Sequence, residues 1–505
     1  MKNSDKKNKI LFNLAIIIFL IICLLIKLPS SPLKSGNTWD DTNAMLRIGQ
    51  LWQSGVIPFR DVFEQRGIVL YFIYLIANLI SSHGYFGLFV IETVNFIFIQ
   101  QITKKIFDQA IGEKKYNLNS ILSLMMILVM IGNYSFKNGG SPEEFTLGWI
   151  LLASYCFLKV LKESKNFYFI LFGICLAITI NIKYSLIGPF IAIIIIYILD
   201  LSKKKQLNKK NFLKIMKNVV LGLIIVGLPI TIYLLVTRSF NALIDIYFIK
   251  NIQGYTAESA QNLDFFQHII TSLAIGITQI INRNCILLLL FTISIGSIKN
   301  LKIEMEIFLS FLVTIIVSYW SLYPMDYMLL IVIYGMYIII ILSVLKRLKK
   351  IDKKIILLSL FITAVIGFNL SKNNPSLTLS RFGNPNDSVI GYNFAKSMKI
   401  NGGPQTLIYY DSLDFGIERF TKVTSKYRFF ERTNIKLKEK DRSLSNLIKN
   451  KKVEYVVVNR DSLKKKDIKN NYQKVSHGKL KKYTFDNNFK AHKKIVDLFL
   501  LKRKI

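Results

Sequence analysis

Long runs of Ile, Leu, Phe and Val, broken by short polar stretches, pattern this chain from its start to about residue 370. An apolar run of about 20 residues crosses the hydrocarbon core of a bilayer as a helix. Eleven such spans are expected, at 10–28, 86–103, 117–134, 146–160, 167–180, 184–198, 218–236, 285–298, 303–320, 328–345 and 355–370. Two other apolar stretches, Ile68–Ile80 and the HIITSLAIGITQII run at His268–Ile281, read as helices lying on the outer membrane surface. From Ser371 the pattern changes to short alternating segments separated by turn residues such as NGGP at 401–404. There TLIYY, YRFF, VEYVVVNR, YQKVS and KLKKYTF read as strands, and SLSNLIK and NFKAHKKIVDLFLLK carry helical spacing. The predicted fold is therefore a polytopic α-helical membrane domain over 1–370, followed over 371–505 by a small α/β domain with a partly parallel sheet.

Composition agrees: 52% of the residues are hydrophobic and mean hydropathy is +0.38. The net charge of +36 changes the picture only through its distribution. Lys and Arg gather in short loops between apolar runs, the bias that marks cytoplasmic loops and orients a membrane protein. Runs such as DLSKKKQLNKKNFLK at 200–214 and KRLKKIDKK at 346–354 fall on one side if Ile68–Ile80 does not cross. The N-terminus is then cytoplasmic, while the loop at about 29–85, the KNGGSPEEF loop and the C-terminal domain lie outside. The first apolar run is too long for a signal peptide and lacks a small-residue cleavage pattern, so it reads as a retained helix. No nucleic-acid-reading motif accompanies the basic residues, which excludes nucleic acid as partner. The cysteines, Cys23, Cys156, Cys175 and Cys285, sit in apolar runs, and the four histidines lack metal-ligand spacing. No GxGxxG or GxxxxGK[ST] motif occurs in the C-terminal region.

Against this apolar background one stretch is conspicuous: GNTWDDTNAMLRIGQLWQSGVIPFRDVFEQRGIVL, Gly36–Leu70. It crowds Asp40, Asp41, Asp61 and Glu64 beside Arg47, Arg60 and Arg66. Polar groups concentrated at a membrane boundary mark a functional site. Glu143 and Glu144 in SPEEF, Lys183 in NIKY and Asp326 in SLYPMDY face the same compartment by the charge argument. Each residue also has an ordinary structural use: Asp40–Asp41 and Glu143–Glu144 suit helix N-termini, and an interfacial arginine suits a neighbouring carboxylate.

An acidic pair after the first helix, then a G-x-x-P-[FY]-x-D-x-[FYL]-[ED]-x-[KR]-G segment before an apolar helix, resembles the GT-C glycosyltransferases. Here Asp40-Asp41 and GVIPFRDVFEQRG, Gly55–Gly67, carry the likeness, with SPEEF as a later acidic loop. The branch it is most similar to is the protein O-mannosyltransferase and lipid A aminoarabinose transferase group, which takes sugar from polyprenyl-phosphate donors. Two positions depart from the pattern: Ile68 stands where proline is frequent, and Asp326 where related bacterial chains show His-Tyr.

The resemblance implies a glycosyltransferase acting outside the membrane on an envelope glycan, teichoic acid, lipid or protein acceptor. Such chemistry needs a carboxylate to take the acceptor proton, for which Asp40 is the first candidate and Asp41 the second. It needs cations for the departing phosphate, the expected role of Arg66, with Arg60 and Lys183 as further candidates. Asp61, Glu64, Glu143, Glu144 and Asp326 are supporting acids, and Mg²⁺ or Mn²⁺ suits any site where carboxylates converge. Attack opposite the leaving phosphate inverts the anomeric centre. Two alternatives share the membrane plan: a flippase for lipid-linked sugars, and a surface-polysaccharide ligase or polymerase. The first would place charge within the spans, which read as nearly free of it. The second would use a large late external loop, here Thr237–Arg283.

Overall fold

The computed structural model describes residues 2–34, 36–112, 116–163, 165–205, 208–254, 263–296, 301–347, 389–401, 405–431, 435, 437–485 and 491–504. Seven described helices are long and apolar enough to cross a membrane, within 7–27, 86–110, 142–163, 166–186, 209–236, 265–295 and 326–345. Asn117–Gly132, Ile307–Ser318 and Ile68–Ile80 are shorter apolar helices. The chain is a multi-pass membrane protein. The span expected at 355–370, the boundary at Ser371 and most of the NGGP turn lie outside the described residues.

Chain contacts divide the molecule into two units. The first comprises Met1–Lys27, Glu92–Tyr233 and Thr256–Pro375. It holds α1 (Lys2–Lys27), most of α4 (Phe86–Ile111), α5 (Tyr116–Gly132), α6 (Pro142–Glu163), α7 (Asn166–Lys183), α8 (Gly188–Lys203), most of α9 (Lys209–Val236), α12 (Phe265–Ile295), α13 (Leu301–Ser318) and α14 (Leu330–Arg347). Within it α6 packs on α7, α8 on α13, and α12 on α13 and α14. Much of α9 keeps its apolar side chains outward, with Leu228, Ile232 and Leu235 more than half exposed. That is the surface lipid tails would cover, since lipid solvates apolar side chains as well as a core does. Within α12 two helical stretches meet at a kink at Asn284, whose backbone is non-helical (φ −139°, ψ 36°), between the helix expected at His268–Ile281 and the span expected from Cys285. The polar INRN sequence breaks the apolar periodicity at the point where the backbone kinks.

The second unit comprises Leu28–Ile91, Leu234–Tyr255 and Ser376–Ile505. Its sheet contains β1 (Leu407–Tyr409), β2 (Tyr455–Asn459), β3 (Tyr472–Phe485) and β4 (Ala491–Arg503) in the order β1-β2-β4-β3. Among the described strands, only β1 and β2 pair in parallel. The predicted helix in NFKAHKKIVDLFLLK is instead β4. This strand lies between β2 and β3, and Leu498, Phe499, Leu500 and Leu501 are all buried. A strand covered on both faces loses its alternation, so its apolar run imitates a helix. YRFF is not a strand either. Its backbone makes single bonds to different segments, Tyr409 N to Phe430 O at 2.7 Å and Phe63 N to Arg428 O at 2.8 Å.

The amphipathic α2 (Asp40–Gln53) packs against α3 (Ile68–Ile80) in the same unit. Gly49 permits that approach, because a Cβ there would collide with the Tyr74 carbonyl. The C-terminal polypeptide then grips the pair. Buried Arg419 donates to Asn78 Oδ1 at 2.6 Å, Gly84 O at 2.9 Å and Ser81 O at 3.3 Å, while buried Arg47 donates to Ser425 O at 2.7 Å. Three hydrogen bonds offset the cost of burying the Arg419 guanidinium, whereas Arg47 leaves its Nε without a partner among the described residues. The first loop is therefore held in a defined relation to the sheet-bearing chain.

Candidate active site

Within the second unit, α2 begins at Asp40, with Asp40 and Asp41 in its first turn next to the positive end of the helix dipole. Asp40 Oδ1 accepts the Asp41 N–H at 3.1 Å. The neighbouring carboxylate reaches across to the second motif: Arg66 Nη2 lies 2.7 Å from Asp41 Oδ1, and Arg66 Nη1 lies 2.7 Å from Glu64 Oε1. One guanidinium thus spans two carboxylates that are 25 and 2 residues away in sequence. The loop bearing it is pinned on all sides. Arg66 N donates to Tyr71 Oη at 2.8 Å, and Asn251 Nδ2 donates to Gln65 O at 2.6 Å. Gly67 then caps α3 without any side-chain acceptor, so the N-terminus of this helix opens beside Arg66 and adds its positive potential there.

Arg60 and Asp61 serve the turn before this loop. Asp61 Oδ2 accepts the Ile57 N–H at 2.9 Å and Oδ1 accepts Arg60 Nε at 2.8 Å; Arg60 also donates to Thr237 O at 3.0 Å. These bonds, that of Arg60 first, hold the Asp61 carboxyl below its usual range. Arg60 is therefore engaged apart from the Asp41–Arg66–Glu64 cluster.

Behind the cluster, the C-terminal segment supplies acids that the sequence alone does not single out. Glu431 is buried and its Oε2 accepts the Asp414 N–H at 2.8 Å. Burial, then the charges of Asp414 and Glu64, pushes the Glu431 carboxyl well above the carboxylate range; Asp414 is raised by burial and by Glu418. A carboxyl raised on folding contributes its full stability below the unfolded value of about 4, and that contribution disappears as pH rises through the folded value. Thermal unfolding of the full-length protein should accordingly show stability falling as pH rises above about 4, and Glu431→Gln should flatten the slope. An equally steep profile in that variant would refute the assignment.

The first unit carries a second cluster. Lys183 Nζ lies 2.6 Å from Glu143 Oε1 and 5.5 Å from the centre of the Tyr327 ring, over which Lys137 also sits at 5.1 Å. Arg283 stacks on Tyr134 at 4.0 Å, with its Nε 3.9 Å from Asp326 Oδ1. Glu144 Oε2 accepts the Gly140 N–H at 2.8 Å. Glu143 and Glu144 are fully buried, and Glu143 Oε2 and Glu144 Oε1 have no hydrogen-bond partner among the described residues. Fully buried Glu92 stands inside α4; it is close enough to Gly139 that a Cβ there would strike its carboxylate. Glu92 is the one charged residue of the span expected at 86–103, where VIETVNF sets it among apolar neighbours.

Two crystal structures of ArnT from Cupriavidus metallidurans are similar to this chain over almost its whole length. The form bound to undecaprenyl phosphate has a TM-score of 0.59 at 8% identity, covering 96% of this chain and 97% of that one. The apo form has a TM-score of 0.57 at 8% identity, covering 98% of each. The chain shares the fold of these ArnT structures. Residues 68–233 match the family described as dolichyl-phosphate-mannose-protein mannosyltransferase. No curated protein sequence matches it.

Of the expected site residues, Asp41, Glu64 and Arg66 are brought together, as are Glu143 and Lys183. Asp326 meets Arg283, and Arg60 meets Asp61. Lys137 and Arg283 escaped the sequence reading, as did Glu92 and Glu431. Isolated charges in loops and spans give no motif, and only packing shows which of them converge. Among the described residues no three His, Cys, Asp or Glu side chains form a group able to hold a metal ion.

Proposed function

We propose that this chain is a membrane glycosyltransferase that moves a sugar from a polyprenyl-phosphate donor to an acceptor hydroxyl outside the membrane. The observation that carries the reading is Arg66, held between Asp41 and Glu64 at the uncapped start of α3. A guanidinium and a helix N-terminus directed to one place suit a phosphate ester. The GT-C fold and the undecaprenyl phosphate in the related ArnT structure support the same donor class. The proton-accepting role falls to Asp40, the first residue of the acidic pair and the head of α2, with Asp41 as the second candidate. Asp40 takes the acceptor proton as its oxygen attacks the anomeric carbon; the bond to the phosphate breaks on the opposite face, and the configuration inverts. Negative charge grows on the departing phosphate, which Arg66 receives by exchanging one of its carboxylates. Lys137, Lys183 and Arg283 form a further group of cations available to an anionic substrate. Acceptors are envelope glycans, teichoic acid, lipids or proteins. A cytoplasmic N-terminus, a membrane domain over 1–370 and an external domain over 371–505 complete the proposal.

Buried Glu92, inside a helix long and apolar enough to cross a membrane, favours a second reading, a flippase for lipid-linked sugars, because intramembrane carboxylates accompany transport. Proteoliposomes loaded with a radiolabelled polyprenyl-phosphate sugar and an acceptor separate the two. A transferase releases free polyprenyl phosphate and labels the acceptor. Label that changes leaflet while staying on the lipid would replace the transferase reading with the flippase.

A further inference from the structure

At the far end of α3 from Arg66 the second unit has a cationic hollow of about 540 Å³, lined among others by His83, Lys399, Gln405, Thr421, Lys422 and Thr424. The thirteen residues of α3 rise about 20 Å, so the hollow is well separated from the Asp41–Arg66–Glu64 cluster. Arg419 shapes it by holding the carbonyls of Ser81 and Gly84 on either side of His83. Lys399 and Lys422 are exposed and make no ion pair among the described residues. Thr421 spends its hydroxyl on Gln405.

The position along the chain says what would meet these cations. Phe86, three residues after His83, opens a helix long and apolar enough to cross a membrane. A residue so close to the end of a span lies at the bilayer surface, where phospholipid phosphates are concentrated. The surroundings are amphipathic in the same sense. Leu79 is 61% exposed, Ile80 44% and Phe86 48%, and Ile400, next to Lys399, is 77% exposed. Exposed apolar side chains flanking lysines suit acyl chains below a headgroup, with the lysine stems reaching up to the phosphate.

We propose that this hollow binds the phosphate headgroup of an anionic bilayer phospholipid, with Lys399 and Lys422 as its cationic ligands and His83, Thr421 and Thr424 at its wall. The site does not depend on the transferase reading. It ties the sheet-bearing C-terminal chain to the membrane surface beside α3.

The test is lipid retention by the full-length protein in nanodiscs of phosphatidylcholine, with or without phosphatidylglycerol, measured by native mass spectrometry. Lys399→Gln/Lys422→Gln should retain phosphatidylglycerol about thirtyfold less tightly, the loss expected for two lysines at an anionic surface, with phosphatidylcholine retention unchanged. Lys464→Gln/Lys466→Gln, an exposed pair away from the hollow, should retain it as the parent does. An unaltered unfolding midpoint shows that the exposed substitutions leave the fold intact. Undiminished retention in the first variant, or the same loss in the second, would overturn the site. Displacement of phosphatidylglycerol by equimolar inorganic phosphate would assign the hollow to a free anion, and displacement by soluble polyphosphate alone to an anionic polymer; either result also overturns the lipid assignment.

Discussion

Asp40→Asn is expected to lower kcat for sugar transfer by about 10²–10⁴-fold, the usual contribution of a positioned general base, while changing KM for the polyprenyl-phosphate donor by less than about threefold. The amide is nearly isosteric with the carboxylate and retains an oxygen for the 3.1 Å bond from the Asp41 N–H, so the start of α2 persists. What is lost is the proton acceptor, which matters only as the acceptor oxygen attacks. Asp41→Asn should behave differently, because its carboxylate lies 2.7 Å from Arg66. Its removal loosens the guanidinium and raises donor KM more than it lowers kcat. Steady-state transfer with a radiolabelled donor separates the two patterns. Full activity in Asp40→Asn with collapse in Asp41→Asn would exchange their roles.

The second large effect concerns Arg66. Arg66→Ala should reduce kcat/KM by about 10²–10³-fold, the scale seen when one donor to a developing negative charge is removed. Arg66→Lys should recover only part of this. An ammonium cannot span two carboxylates as the guanidinium does, with 2.7 Å bonds to both Asp41 and Glu64. The substitution also leaves two acids facing each other with less compensation, so some folding stability is lost with activity. Measuring the unfolding midpoint alongside kcat/KM separates these contributions. Lys at parental activity would show that a point charge suffices and that the two-carboxylate cradle is incidental. Donor binding unchanged in Arg66→Ala would move the phosphate contact elsewhere, with Lys137, Lys183 and Arg283 the next cations to test.

The legible parts of this chain were those written in local pattern. Apolar length announced membrane helices, and period-2 segments announced β1 to β3. Asp40-Asp41 and Glu64-x-Arg66 stood out because charge is scarce around them. The errors arose where local pattern is degenerate. β4 is buried on both faces and lost its alternation, and Glu92 is a single acid in an apolar helix. In each case the environment supplied by distant chain, absent from any local window, determines the outcome.

What the sequence determined by itself is the solvent of each segment: which stretches belong in hydrocarbon, which carry charge to its boundary, and where apolar chain gives way to a sheet-forming region. Transfer free energy depends on residue type and run length, so it can be read one segment at a time. What only the tertiary structure decided is which charges meet. That Arg66 is shared by Asp41 and Glu64, that Lys183 belongs to Glu143, and that Arg419 binds the end of α3 all depend on the close packing of elements distant in sequence. Ion pairs and hydrogen bonds act over a few ångströms, so their partners are assigned only once the chain has folded.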